Sequence, residues 1–194
     1  MNTNPPPPRG GIVDANYRFV AAYQEVNARI AQRQQALALY VSLTLGLLAV
    51  LVAMRPPRDG AGLPVEWLLP GFPVTSACLV FLHYKAERAL TNLRRFLARL
   101  ERLGDAHLAL PSYNTDPRWT TGANRARRYH DYASATLVAA GNLLALAAAR
   151  GVHPERIALN QPIFWIVAVI GLGCTLALLW MPRLSYRPEG GAEA

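Results

Sequence analysis

Nineteen consecutive residues from Ala36 to Met54, ALALYVSLTLGLLAVLVAM, carry no charge and stop abruptly at Arg55-Pro56-Pro57. A helix rises 1.5 Å per residue, so about 20 mostly apolar residues cross a hydrocarbon core of about 30 Å. A second such stretch, Pro162 to Met181, is equally clear and places Trp165 and Trp180 near its two ends, where an indole is best accommodated. Tyr132 to Ala149 is uncharged but rich in alanine. Leu63 to Tyr84 holds Glu66 near one end and a Pro70-Gly71-Phe72-Pro73 interruption that is expected to break or kink a helix. The expected fold is all-α: a polytopic membrane protein with four transmembrane helices and helical cytoplasmic extensions.

Charge placement carries the four-span expectation. Only 16% of residues are charged, against about 25% in an ordinary soluble domain. Lys and Arg number four before Ala36, two from Arg55 to Leu63, ten from Lys85 to Arg128, two from Arg150 to Arg156 and two after Met181. Alternate segments thus hold sixteen against four, the asymmetry of the positive-inside rule, with both termini and the basic segment cytoplasmic. The first apolar run follows some 35 polar or mixed residues and exceeds a signal-peptide core, so it reads as a retained span. The Ala- and Arg-rich composition is consistent with a bacterial inner membrane.

Residues 1–11 read as an extended, disordered, proline-rich tail. Residues 12–104 read as a long helical hairpin, with spans 36–54 and 63–84 and a cytoplasmic stalk formed by 12–35 and 85–104. In the first arm Ile12, Phe19, Tyr23, Val26, Ile30 and Leu37 share one face, and no proline or glycine intervenes from Val13 to Leu45. One continuous helix of about 60 Å is expected. In the second arm Ala86, Leu90, Leu93, Leu97, Leu100 and Gly104 make a heptad-like seam, with Arg88, Arg94, Arg95, Arg99 and Arg102 on other faces. The two arms emerge side by side and are expected to pack on each other, with an intermolecular coiled coil as the alternative. Leu90, Leu93, Leu97 and Leu100 are therefore the candidate interaction face.

Residues 105–128 read as a basic cytoplasmic loop, polar from Ser112 to Asn124. Its Arg125, Arg127 and Arg128 are candidate contacts for anionic headgroups, each worth about 1 kcal/mol near such a surface. The net charge of +8 does not point to nucleic acid, because the arginines flank apolar spans. Residues 129–182 read as a second hairpin with spans 132–149 and 162–181, followed by a tail 183–194. Gly141, Ala145 and Ala149 recur every four residues, as do Gly173 and Ala177, which allows close helix approach within one bundle or between protomers.

Asn142 is the candidate intramembrane polar site, as an interhelical clasp or, alternatively, a pore-lining amide. His83 and His130 fall at similar depth, so a haem or metal reading is open beside interfacial hydrogen bonding. Cys78 and Cys174 lack CxxC spacing and are expected as reduced thiols. No phosphate loop, HExxH or GxSxG motif is present, and no cofactor is expected. The expected function is a non-enzymatic structural or interaction protein, with the bilayer and a second copy or another membrane protein as partners. A small oligomeric pore and a haem- or metal-binding electron carrier are the alternatives.

Overall fold

The computed structural model describes residues 14–54 and 65–188, and among these the chain is all-helical with no strand. The tail 1–11, Ile12, the Arg55-Pro56-Pro57 stop, Leu63 and residues 189–194 lie outside the described residues. Helix α1 spans Ala15–Ala53 without a break. Asp14 caps it by accepting a hydrogen bond from the Asn16 amide at 3.1 Å. Its 39 residues reach about 58 Å, as the lack of early helix breakers requires.

Helix α2 spans Gly71–Glu101, preceded by a 3₁₀ turn at Val65–Trp67. The Pro70-Gly71-Phe72-Pro73 interruption breaks the helix, as expected, and α2 starts there. Pro73 lies in the first turn, where a missing N–H breaks no helical hydrogen bond. The apolar part of α2 is consequently only Gly71 to Tyr84, about 21 Å long. Among the described residues three helices are long and apolar enough to cross a membrane: α1, α4 (Pro117–Val152) and α5 (Pro162–Trp180, continued by a 3₁₀ turn to Leu184).

The expected polar loop over Ser112 to Asn124 is shorter than its composition suggested. Gly104 and Asp105 do end the α2 arm: Asp105 takes a left-handed φ of 56° before the short helix α3 (Ala106–Ala109). Helix α4, however, begins at Pro117, because Asp116 accepts from the Arg118 amide at 2.8 Å and proline suits the first helical position. Arg125, Arg127 and Arg128 are therefore helical residues, two turns inside α4.

The helices pack in successive layers. Leu51, Leu69, Phe72, Ala145, Ala149, Ile157 and Val167 form the layer at the end of the bundle where α1 and α4 end and α2 and α5 begin. Next, Tyr40, Leu79, Ala135, Val138, Cys174, Leu178 and Met181 fill the middle of the bundle. Beyond the end of α5, three helices continue as a stalk in which Ala22 and Val26 of α1 close on Leu90 and Leu97 of α2. The arms thus pair within one chain. The face of α1 differs from expectation: Ala22 and Val26 are buried while Tyr23 and Ile30 are exposed.

Exposed aromatics ring the bundle at two levels, Trp67 and Trp165 at the turn end and Tyr84, Tyr129, Tyr132 and Trp180 at the stalk end. Trp165 and Trp180 are about 22 Å apart along α5. Between them the large exposed side chains are leucine, valine, isoleucine and phenylalanine, including Phe81.

Candidate functional site

Where the middle layer gives way to the stalk, helical spacing brings charge instead of hydrocarbon to the core. On α2, His83, Glu87, Leu90, Arg94 and Leu97 share one face at steps of four and three. On α4, Asn124, Arg127, Asp131, Ala135 and Val138 do the same, and α1 contributes Arg33, seven residues before Tyr40. These faces are apolar toward the bundle middle and ionic toward the stalk.

The side chains close into a cluster. Glu87 Oε2 accepts from Arg33 Nη1 at 3.3 Å and from Arg127 Nη2 at 2.6 Å. Arg33 Nη2 also donates to Asp131 Oδ1. Arg33, Glu87 and Asp131 are each 5% exposed or less, so their charges are out of water and must compensate one another. Burial, offset in part by Glu87 and deepened by Arg127, brings the Arg33 guanidinium down to about 10, which leaves it charged at neutral pH.

Two further contacts extend the cluster. Arg94, expected on the exterior, is buried and donates from Nη1 to Asn124 Oδ1 at 3.1 Å, while burial and Arg127 lower its basicity. Asn124 Nδ2 donates in turn to the Tyr186 carbonyl at 2.8 Å, and Thr91 Oγ1 to the Leu184 carbonyl at 3.2 Å, so the segment after α5 is tied back onto the stalk. The His83 and His130 rings stack nearly parallel with centroids 5.5 Å apart. Burial and the Arg33 charge hold His130 below the usual histidine range, in its neutral form. Among the described residues no three His, Cys, Asp or Glu side chains group as a metal site.

The sequence-level candidates are distributed differently from expectation. Arg127 turns inward to Glu87, whereas Arg125 and Arg128 stay exposed. The proposed interaction face is largely occupied: Leu90 and Leu97 are buried against α1, and Leu93 and Leu100 are half-buried. Asn142 is a clasp, donating from Nδ2 to Ser76 Oγ on α2 and to the Val138 carbonyl, both at 2.8 Å. A Cβ on Gly171 of α5 would lie 2.9 Å from Asn142 Cγ, so the amide joins three helices. Gly141, Ala145 and Ala149 all face inward, with Gly141 beneath Tyr40 and Thr44, while Gly173 faces open space. Cys78 is exposed and Cys174 buried, and both are free.

Sequence reasoning missed the ionic cluster. The available signal was the spacing that puts His83 and Glu87 on the same helix face as Phe72 and Leu79. At the far end of the stalk, a second polar device shapes the surface. The Glu101 carboxylate accepts from the Asn114 amide and side chain and from the Thr115 amide and hydroxyl, at 2.8 to 3.3 Å, which folds the 112–116 turn against α2. Comparison with family models, curated proteins and solved structures found no match to the chain.

Proposed function

We propose that this chain is a four-span, non-enzymatic protein of a bacterial inner membrane, with both termini cytoplasmic, whose three-helix stalk holds a docking surface for a partner away from the bilayer. Two observations support the fourth span. Helix α2 runs antiparallel to α1 through the apolar layers, and the 3₁₀ turn at Val65–Trp67 lengthens its short apolar part. The sixteen-to-four distribution of Lys and Arg supports the orientation.

The observation that carries the docking reading is the tip of the stalk. Leu108, Leu110, Tyr113 and Trp119 are all more than half exposed there, beside the exposed Arg99 and Arg118. Glu101 is 17 residues beyond Tyr84, so this patch stands about 25 Å along the helix from the apolar zone, too far for lipid to cover it. Clustered aromatic and leucine side chains rimmed by arginine are the makings of a protein interface. The basic rim favours an acidic partner.

The test is a photo-reactive residue at Leu108 or Trp119 in the membrane of intact cells, with Phe81 as the lipid-facing control. A discrete protein adduct at the tip, lost in Tyr113→Asp and absent at Phe81, is expected. An adduct of twice the chain's mass identifies the partner as a second copy. Absence of any protein adduct at either tip position contradicts the reading.

A further inference from the structure

The ionic cluster is not balanced. Arg33 and Arg127 bond the two carboxylates, Glu87 and Asp131, while the third buried guanidinium, Arg94, bonds the neutral Asn124 amide and His130 is held neutral beside them. One positive charge is left over at a site largely removed from water, where a compensating anion is strongly favoured.

The geometry says where that anion goes. A cleft of about 210 Å³ opens between α1 and α4, lined by the charged or polar Arg33, Gln34, Arg127 and His130 and walled by Ile30 and Leu90. Arg33 is 95% buried, lines this cleft and keeps its Nε without a hydrogen-bond partner; Arg127 Nη1 and His130 Nε2 are likewise buried and unpartnered. Two guanidinium groups lining one cleft suit a tetrahedral oxyanion, which arginine binds at short range with fixed geometry. Arg33 lies three residues before the apolar run that starts at Ala36, level with the exposed Tyr129 and Tyr132, which is the depth of lipid phosphates.

From these features we propose that the cleft beside Arg33 and Arg127 binds a phosphate-type anion, supplied by an anionic lipid headgroup or by free phosphate. The phosphate accepts from the Arg33 and Arg127 guanidinium groups, and Ile30 and Leu90 cover the adjoining carbons of a lipid. The site is separate from the docking tip and does not depend on it.

The experiment uses the full chain in phosphatidylcholine nanodiscs, with phosphatidylglycerol or inorganic phosphate added in separate arms, read by native mass spectrometry and by thermal unfolding. Expected is one saturable adduct per chain, with a rise in unfolding temperature, in one of these arms. A response to phosphatidylglycerol that inorganic phosphate does not reproduce assigns the lipid, and the converse assigns the free ion. Gln34→Glu places a carboxylate at the exposed mouth of the cleft without disturbing the cluster and is expected to weaken the adduct about tenfold or more, about 1.4 kcal/mol. Arg125→Gln, outside the cleft, is expected to leave it. Equal, non-saturating adducts with all lipids and no response to phosphate overturn the proposal, as does an adduct indifferent to Gln34→Glu.

Discussion

Arg33 and Asp131, 98 residues apart in sequence, meet side chain to side chain in the interior of the bundle where α1 passes α4. The contact fixes the register of the two hairpins, because Arg33 holds Glu87 of α2 with its other terminal nitrogen. One guanidinium thereby ties three helices at the level where the apolar layers end.

Breaking this tie from the acidic side should be costly. Glu87→Gln leaves Arg33 and Arg127 facing each other without their shared carboxylate. Removing one partner of a buried pair typically destabilises by about 3–5 kcal/mol. Thermal unfolding in mild detergent is expected to show that loss, and a smaller one in Glu87→Gln combined with Arg127→Met, which leaves Arg33 paired with Asp131. A near-neutral Glu87→Gln alone contradicts the buried cluster.

The clasp in the middle of the bundle is expected to be modest in energy but specific in shape. Asn142→Leu forfeits the bond to Ser76, worth about 1 kcal/mol or less between such helices. Gly171→Ala drives a methyl group against the same amide, at 2.9 Å from Cγ, and should cost more than Asn142→Leu. In an Asn142→Ala background the Gly171→Ala penalty should shrink, with the 3.1 Å approach to the residue 142 Cβ remaining, as a double-mutant cycle on unfolding temperature would show.

Acidification should loosen the cluster. His130 has a folded value below the ordinary 6.5, owing to burial and then to Arg33, so the native state resists the proton that the unfolded chain accepts. Stability is therefore full above about pH 6.5 and declines as pH falls below it. His130→Gln is expected to flatten that part of the pH–stability profile. A profile identical to that of the unaltered chain would remove His130 from the account.

At the tip, Glu101→Gln removes the carboxylate that holds the Asn114 and Thr115 amides. Hydrogen bonds to a charged group contribute about 1.5–3 kcal/mol each, so amide exchange over residues 112–116 should accelerate about tenfold or more. Exchange in the apolar layers should not change, which separates loosening of the turn from unfolding of the bundle.

The sequence made the long elements legible because lipid-length apolar runs and missing helix breakers are local facts. Helix α1 and helix α5 follow from Ala36–Met54 and Pro162–Met181 directly. The pairing of Ala22 and Val26 with Leu90 and Leu97 follows from seams that emerge on adjacent, antiparallel helices. The start of α4 was obscured because Pro117 and Trp119 read as loop residues, although Asp-Pro is also the combination that opens a helix. The ionic cluster was obscured for a deeper reason. Basic residues flanking a span serve topology wherever they point, and only tertiary packing distinguishes the inward Arg33, Arg94 and Arg127 from the outward Arg125 and Arg128.

The central claim is that four helices cross the bilayer and leave the stalk on one side of it. Single cysteines placed at Asp59, Arg95, Arg128 and Glu155, after Cys78→Ala and Cys174→Ala, report it through a membrane-impermeant maleimide applied to intact and to permeabilised cells. Labelling of Asp59→Cys and Glu155→Cys in intact cells, with Arg95→Cys and Arg128→Cys reacting only after permeabilisation, is the expected result. Labelling of all four from the same side contradicts it.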